Sequence, residues 1–291
     1  MSEGLATIAD VLESAVDQLR TSSPTARLDA ELLLAGTLER PRSFLISHAG
    51  EALSPETRKR IAHAIERRRQ GDPVAYILGI REFWSLDFEV NPHVLIPRPE
   101  TEQLVEFALE VLTPDVHTKV LDLATGSGAV ALAIAHERPN ARIIATDSSA
   151  EAIVVACRNA ERLELGNVSF FVGDFYEPVG AMHFDLIVSN PPYVAANDPA
   201  LASPELRAEP RGALVPGPSG LEAIERIVAR AGEHLRPGGW LALEHGSRQA
   251  QAVSALFLQA GLSSIRTLKD LAGHDRVTGA RFGSSGLLQT P

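Results

Sequence analysis

Two hydrophobic periods divide the chain. Leu5, Ile8, Leu12, Ala15 and Leu19 recur at helical spacing and form one apolar stripe, and Leu28, Leu32 and Ala35 begin a second. A third helix is punctuated at both ends. Ser54 stands as N-cap, Pro55 at the first helical position and Glu56 in the first turn; Ile61 and Ile65 share a face; Arg67, Arg68 and Arg69 fill the last turn and Gly71 follows. These features predict a small helical bundle over residues 1–73. Asp72-Pro73 ends it. Residues 74–96 turn to strand-like alternation, with Phe83, Trp84, Leu86, Phe88 and Val90 set among polar residues, which predicts a β-hairpin linker. The linker runs out at Ile96-Pro-Arg-Pro-Glu-Thr-Glu102, and after Thr101 the residues Leu104, Val105, Phe107, Ala108 and Val111 resume the helical period.

From there, short apolar runs rich in β-branched residues alternate with helical segments. Strands starting near Val120, Arg142, Val168 and Phe184 predict a doubly wound, parallel α/β sheet for a second domain over 97–291. Residues 194–220, with Pro199, Pro204, Pro210, Pro216 and Pro218, are too long for an ordinary connection and are expected to form a lid facing a substrate. A helix over 221–235, a strand over 240–243 after Pro237-Gly-Gly239, a helix over 253–260 and an antiparallel hairpin over 264–282 complete the expectation.

Composition narrows the class. A chain of 291 residues with 45% hydrophobic content can bury a large core, and its length permits one large or two smaller domains. No run reaches the roughly 18 apolar residues of a membrane span. The start, Met1-Ser-Glu-Gly, lacks a signal peptide's basic flank and apolar centre, and four acids precede the first arginine, Arg20, unlike a mitochondrial presequence. The expected compartment is the cytoplasm, with no membrane partner. A net charge of −10 argues against broad capture of duplex nucleic acid. The basic run Arg58-Lys-Arg60 with Arg67, Arg68 and Arg69 reads as a solvated face favoured by the helix dipole rather than a docking patch. Cys157 is the only cysteine, which excludes an internal disulfide and a cysteine metal cluster, and His245 and His274 stand without a second ligand, so no metal is expected.

The chemistry gathers at strand ends. Val120-Leu-Asp-Leu-Ala-Thr-Gly-Ser-Gly128 is a strand entering a glycine-rich turn before the helix at 129–135. Ala124, Thr125, Gly126, Ser127 and Gly128 can bring backbone close to a ligand, because glycine has no Cβ, and a helix N-terminus offers free N–H groups. Asp147 ends the next strand, where a carboxylate accepts ribose hydroxyls. Asp174, after the third strand, can take an adenine amino group, and Phe175 can pack on the ring. Gly126-Ser-Gly128-Ala-Val-Ala131 also satisfies the dinucleotide pattern, so this segment alone leaves NAD and a methyl donor level.

The fourth strand separates them. Phe184, Leu186, Ile187 and Val188 read as a buried central strand that stops at Asn190-Pro-Pro-Tyr193. Neither proline donates to a ladder, and each holds the residue before it extended. A planar substrate NH2 group can donate to the Asn190 side-chain oxygen and the Pro191 carbonyl while its plane packs on Tyr193. A dehydrogenase has no use for that wall; a methyl donor needs its acceptor nitrogen held there.

In these motifs, and in Phe83-Trp84, the 96–102 loop, Asp122-Leu-Ala-Thr-Gly-Ser-Gly128, Glu209-Pro210, Gly217 with Gly220, Glu244-His-Gly246 and Asp275-Arg-Val277, the chain resembles the HemK-type protein-glutamine N5-methyltransferases over nearly all its length. The resemblance implies a Rossmann-like class I methyltransferase fold whose N-terminal helical bundle recognises the substrate. It implies S-adenosyl-L-methionine over residues 124–128, with Asp147 on the ribose, Asp174 and Phe175 at the adenine, and Asn190 beside both cofactor and acceptor. Asn190, Pro191 and Tyr193 would carry catalysis and Pro192 would complete the substrate wall. The implied acceptor is the glutamine of the Gly-Gly-Gln motif in class 1 peptide-chain release factors, met by a monomer. Glutamine methylation of a ribosomal protein is the alternative, because the bundle carries no readable partner code. Adenine-N6 DNA methylation uses a similar Asn-Pro-Pro-Tyr but is disfavoured by the acidic charge. Two positions depart from the family: Ala124 replaces the usual first glycine, adding one methyl, and Phe175 replaces a common tryptophan, keeping an aromatic face.

Overall fold

The computed structural model describes residues 6–283, which form two compact units. One holds the chain up to Ile80 together with Ala202–Ala208; the other holds Arg81–Leu201 and the chain from Glu209 on.

The first unit is helical: α1 (Ile8–Leu19), α2 (Ala26–Leu38), α3 (Arg42–Ser47), α4 (Pro55–Arg69) and α5 (Val74–Leu78). Thr7 and Asp10 cap α1 reciprocally, and Ser54 accepts the Thr57 N–H at 3.1 Å to cap α4. The apolar faces meet in a core that includes Ile8, Leu19, Leu33, Ile61 and Ile65. The basic run differs from expectation at one residue. Arg67 and Arg69 lie near the surface with Asp72 and Glu66, but Arg68 is buried, donating to Asp29 at 2.6 Å and to Glu205 at 2.8 Å. Glu205 comes from the short helix Pro204–Ala208, so the middle of the expected lid is part of this unit. Residues 74–78, expected in a strand, are helical because Pro73 sits at the N-cap and Gly79, at φ 73°, ends the turn.

The hairpin itself is β1 (Ile80–Phe83) and β2 (Leu86–Glu89), joined by Trp84 and Ser85 at φ 54° and 56°, the left-handed pair a type I′ turn needs. The second unit continues with α6 (Glu102–Val111), β3 (Lys119–Leu123), α7 (Ala129–Glu137), β4 (Arg142–Asp147), α8 (Ala150–Arg162), β5 (Val168–Val172) and β6 (Phe184–Ser189). After the helix Glu222–His234 come β7 (Leu235–Glu244), the helix Ala250–Gln259, β8 (Leu262–Lys269) and β9 (Asp275–Phe282). The sheet has seven strands in the order β5-β4-β3-β6-β7-β9-β8, with β9 antiparallel to both neighbours. β7 begins at Leu235 rather than Trp240, and Pro237-Gly-Gly239 falls at an irregular register against β6.

Alternation explains the continuous apolar runs. Val120, Leu186 and Val188 enter the core on one face with α6 and α7, while Leu121, Leu123 and Ile187 enter the opposite core with the helix Glu222–His234. Each central strand is therefore covered on both sides. Asn159 of α8, fully buried, ties the hairpin to the glycine turn: its Oδ1 accepts the Glu89 N–H at 2.6 Å, and its Nδ2 donates to the Ser127 carbonyl at 2.9 Å.

Candidate active site

The strand order reverses between β3 and β6, and the crevice outside the C-terminal ends of strands at such a point is where doubly wound sheets bind ligands. A cavity of about 410 Å³ lies there. Its lining includes Ala124, Thr125, Gly126, Ser127, Asp147, Asp174, Phe175, Asn190 and Pro192. Gly128, Pro191 and Tyr193 are not among the lining residues: Gly128 caps α7, and Tyr193 packs towards the core with Leu221 and Leu256.

The turn after β3 is left-handed at three positions, Ala124 (φ 57°), Gly126 (φ 56°) and Gly128 (φ 82°). At Gly128 a Cβ would meet Leu132 Cδ1 at 3.1 Å and Ala156 Cβ at 3.2 Å, so the close packing of α7 and α8 also asks for glycine. The alanine at 124 is thus more than an added methyl: its backbone sits where an L-residue is strained by roughly 1–2 kcal/mol. Asp147 closes the turn. Its Oδ2 accepts the Gly126 N–H and its Oδ1 the Ser149 N–H, both at 2.9 Å, and burial holds its carboxyl above the ordinary aspartate value. Below it, Asp122 is buried, accepts the Thr125 hydroxyl at 2.6 Å, and is pushed up to about 7, chiefly by burial.

At the other end of the cavity Asp174 is not free for a ligand alone. Arg226, from the helix Glu222–His234, pairs with it and holds its guanidinium 5.0 Å over the Phe175 ring. Arg226 lines the cavity, and no sequence signal marked it, because its helix lies far along the chain.

The amide wall is built from several elements. Asn190 Nδ2 donates to Thr101 Oγ1 at 3.1 Å, and Ser189 Oγ donates to the Leu123 carbonyl at 2.6 Å, which locks the end of β6 to β3. Thr101, expected only as a helix start, makes no cap bond; it lies buried in the turn Pro99–Thr101 and lines the cavity. The Tyr193 hydroxyl donates to Glu244 Oε1 at 3.0 Å, and the Tyr193 carbonyl accepts from Gln249 Nε2 at 3.1 Å. Gly220, at φ 80°, gives that carbonyl room, since a Cβ there would sit 2.5 Å from it. His245 is satisfied by Thr278 and Gly246, as befits a structural residue.

Comparison with known proteins accords with this geometry. The PrmC N-terminal domain model matches residues 10–79 and the Methyltransferase small domain model residues 101–218. A methyltransferase from Pyrococcus furiosus superposes with a TM-score of 0.51 at 22% identity, covering 79% of this chain and 98% of that one, a likeness of fold. The release factor glutamine methyltransferase of Xylella fastidiosa is 49% identical over 255 residues, 88% of this chain and 93% of the relative. That of Pseudomonas aeruginosa is 48% identical over 262 residues, 90% and 95% of the two chains. Identity of that degree, running through both units, means that the chain belongs to the release factor glutamine methyltransferase family.

Proposed function

We propose that the protein transfers a methyl group from S-adenosyl-L-methionine to the side-chain amide N5 of the glutamine in the Gly-Gly-Gln motif of class 1 peptide-chain release factors. One observation carries the reading: Asn190, its Nδ2 engaged by Thr101, lines the same cavity as the glycine turn and Asp147. An acceptor for a planar NH2 group thus sits beside a nucleoside-type site.

The residues fit the cofactor. Gly126 lines the cavity at φ 56°, and a Cβ there would occupy open space that a ligand can fill; the Asp147 carboxylate, with one N–H on each oxygen, keeps acceptor capacity for hydroxyls. Residues 124–128 would hold its amino-acid end, Asp147 the ribose, and Phe175 with Asp174 the adenine. When bound, it supplies an electrophilic sulfonium methyl group. Asn190 Oδ1 and the Pro191 carbonyl would accept the two N–H groups of the glutamine and orient its nitrogen. Pro192 would keep the wall stiff, and Tyr193 would hold its end in place. An amide nitrogen is a poor nucleophile, so orientation must carry most of the rate enhancement, within the roughly 7–11 kcal/mol such positioning can supply. Acceptors on the N–H groups also favour positive charge developing on nitrogen. The reading places the enzyme in the cytoplasm as a monomer acting on a protein partner, with neither a metal nor stably bound nucleic acid; the net charge of −10 supports the last point.

The test is methyl transfer from labelled cofactor to unmodified release factor, its Gly-Gly-Ala variant, purified ribosomal proteins and duplex DNA, with mass spectrometry locating the label. Label on the release-factor glutamine, absent from the alanine variant, is expected. Label confined to a ribosomal protein or to DNA overturns the substrate and leaves the family and fold standing.

A further inference from the structure

The turn after β5 has its backbone fixed at three points. The Gly173 N–H donates to the Asp147 carbonyl at 2.9 Å, the Asp174 N–H to Glu177 Oε2 at 3.2 Å, and Thr146 Oγ1 to the Phe175 carbonyl at 2.9 Å. Those bonds hold Phe175 at φ 48°, in the left-handed region that a bulky residue adopts only where its surroundings enforce it. None of them fixes the Asp174 carboxylate, which can still turn about its own side-chain bonds. Arg226 supplies that restraint. Its Nη2 donates to Asp174 Oδ2 and its guanidinium lies 5.0 Å over the centre of the Phe175 ring, so the fork is anchored twice. All three side chains belong to residues that line the cavity.

Glu222 stands one turn earlier on the same helix, at the spacing that favours an intrahelical pair, yet its Oε1 accepts the Ser219 N–H at 2.7 Å and Arg226 reaches across to Asp174 instead. The Arg226 side chain is 60% exposed, and an ion pair so open contributes little to stability. Its effect is on direction. With Oδ2 taken, Asp174 Oδ1 carries no hydrogen bond from a described residue and keeps its lone pairs for a ligand. We propose that Arg226 is a positioning residue that holds the Asp174 carboxylate at one setting, so that Oδ1 accepts the exocyclic NH2 group of the adenine and the site selects adenine over hypoxanthine. This role rests on the S-adenosyl-L-methionine reading above and deepens it, naming what decides the specificity of that subsite.

The selection follows from donor direction. Adenine offers an NH2 group where hypoxanthine offers a carbonyl, and the neighbouring ring nitrogen, an acceptor in adenine, carries a proton in hypoxanthine. A carboxylate only accepts, so it repels the carbonyl. One free to swing can follow the proton to the ring nitrogen and recover its hydrogen bond. Pinned by Arg226, it cannot. Loss of Arg226 is therefore expected to weaken adenine binding a little and to erase much of the preference.

The experiment measures, by calorimetry, binding of S-adenosylhomocysteine and S-inosylhomocysteine to wild type, Arg226→Ala, Arg226→Lys, Asp174→Asn and the Arg226→Ala, Asp174→Asn double variant. Wild type should prefer the adenosyl compound by about 30-fold or more, the scale of a hydrogen bond to a charged group lost on one side. Arg226→Ala should cut that preference at least about fivefold, while Arg226→Lys, which can still pair with Asp174, should keep most of it. In the Asp174→Asn background, removing Arg226 should change the preference less than about twofold, because its effect runs through that carboxylate. An unchanged preference in Arg226→Ala overturns the proposal, as does an equal effect of removing Arg226 with and without Asp174. Tighter binding of both compounds by Arg226→Ala also overturns it, and marks a side chain that only occupies the adenine's place. Should wild type bind neither compound, the cofactor reading falls and the role of Arg226 with it. Should it bind S-adenosylhomocysteine yet methylate no release factor, the substrate reading alone falls, and the preference still judges Arg226.

Discussion

Arg98 donates to Glu209 Oε1, while Glu209 Oε2 accepts the Ile96 N–H at 3.1 Å. One buried carboxylate thus ties the proline-bracketed loop that carries Thr101 to the segment that returns to the cavity through Pro210. Removing Arg98 leaves that charge buried and unpaired. Arg98→Ala is expected to destabilise the second unit by about 2–3 kcal/mol, below the roughly 3–5 kcal/mol of a fully buried pair because Arg98 is partly exposed. Urea denaturation measures it, and a loss below about 0.5 kcal/mol would show the pair to be a surface ornament.

Ala124 carries backbone strain where the turn asks for glycine. Ala124→Gly relieves that strain and gives back part of the gain as unfolded-state entropy, so a net stabilisation of about 0.5–1 kcal/mol is expected. An upward shift of the denaturation midpoint at unchanged m-value is the reading; a downward shift contradicts the strain assignment.

Asn190→Ala removes the acceptor proposed to orient the substrate nitrogen. Transfer is expected to fall at least about 100-fold while cofactor affinity stays within about threefold. Near-normal turnover would sink the assignment of Asn190. Single-turnover kinetics with calorimetry separates the two effects.

Asp147→Asn replaces a carboxylate that accepts two backbone N–H groups by an amide that must turn a donor towards one of them. Cofactor affinity is expected to fall roughly 10–100-fold, the worth of hydrogen bonds to a charged group. The change should appear in calorimetry and in KM for the cofactor, with kcat at saturation nearly kept; an unchanged affinity contradicts the ribose role.

Asp122 titrates near 7 in the fold, against an ordinary aspartate value of 3.8. The folded state therefore holds its proton more tightly than the unfolded chain. Its contribution to stability is complete below about 4 and is lost as pH rises through about 7. Compared with Asp122→Asn, wild type should lose melting temperature between pH 4 and 7. Parallel curves for the two proteins across that window would refute the shift.

The parts of this protein legible in the sequence are those encoded by local rules. The capped helix α4, the β-branched runs of β3 to β6 and the glycine turn after β3 each follow from neighbouring residues. The wall at Asn190 was legible because two adjacent prolines cannot continue a strand. The turn α5 falls where the pattern predicts strand, because Pro73 and Gly79 bracket only five helical residues, too few for a period to show. Residues 204–208 lie within the expected lid, and the ion pair from Glu205 to the buried Arg68 ties them to the helical unit.

By itself, then, the sequence determined the alternation of strands and helices, the glycine turn after β3 and the Asn190-Pro-Pro-Tyr193 stop of β6, because each depends on chemistry within a few residues. Only the tertiary structure decided what surrounds them: Thr101 beside Asn190, Arg226 over Phe175, and Glu244 beneath Tyr193. Those partners lie tens of residues apart along the chain and meet because a doubly wound sheet brings the C-terminal ends of its strands to one edge. Which side chains meet at the end of β6 is set there, and no local pattern encodes it.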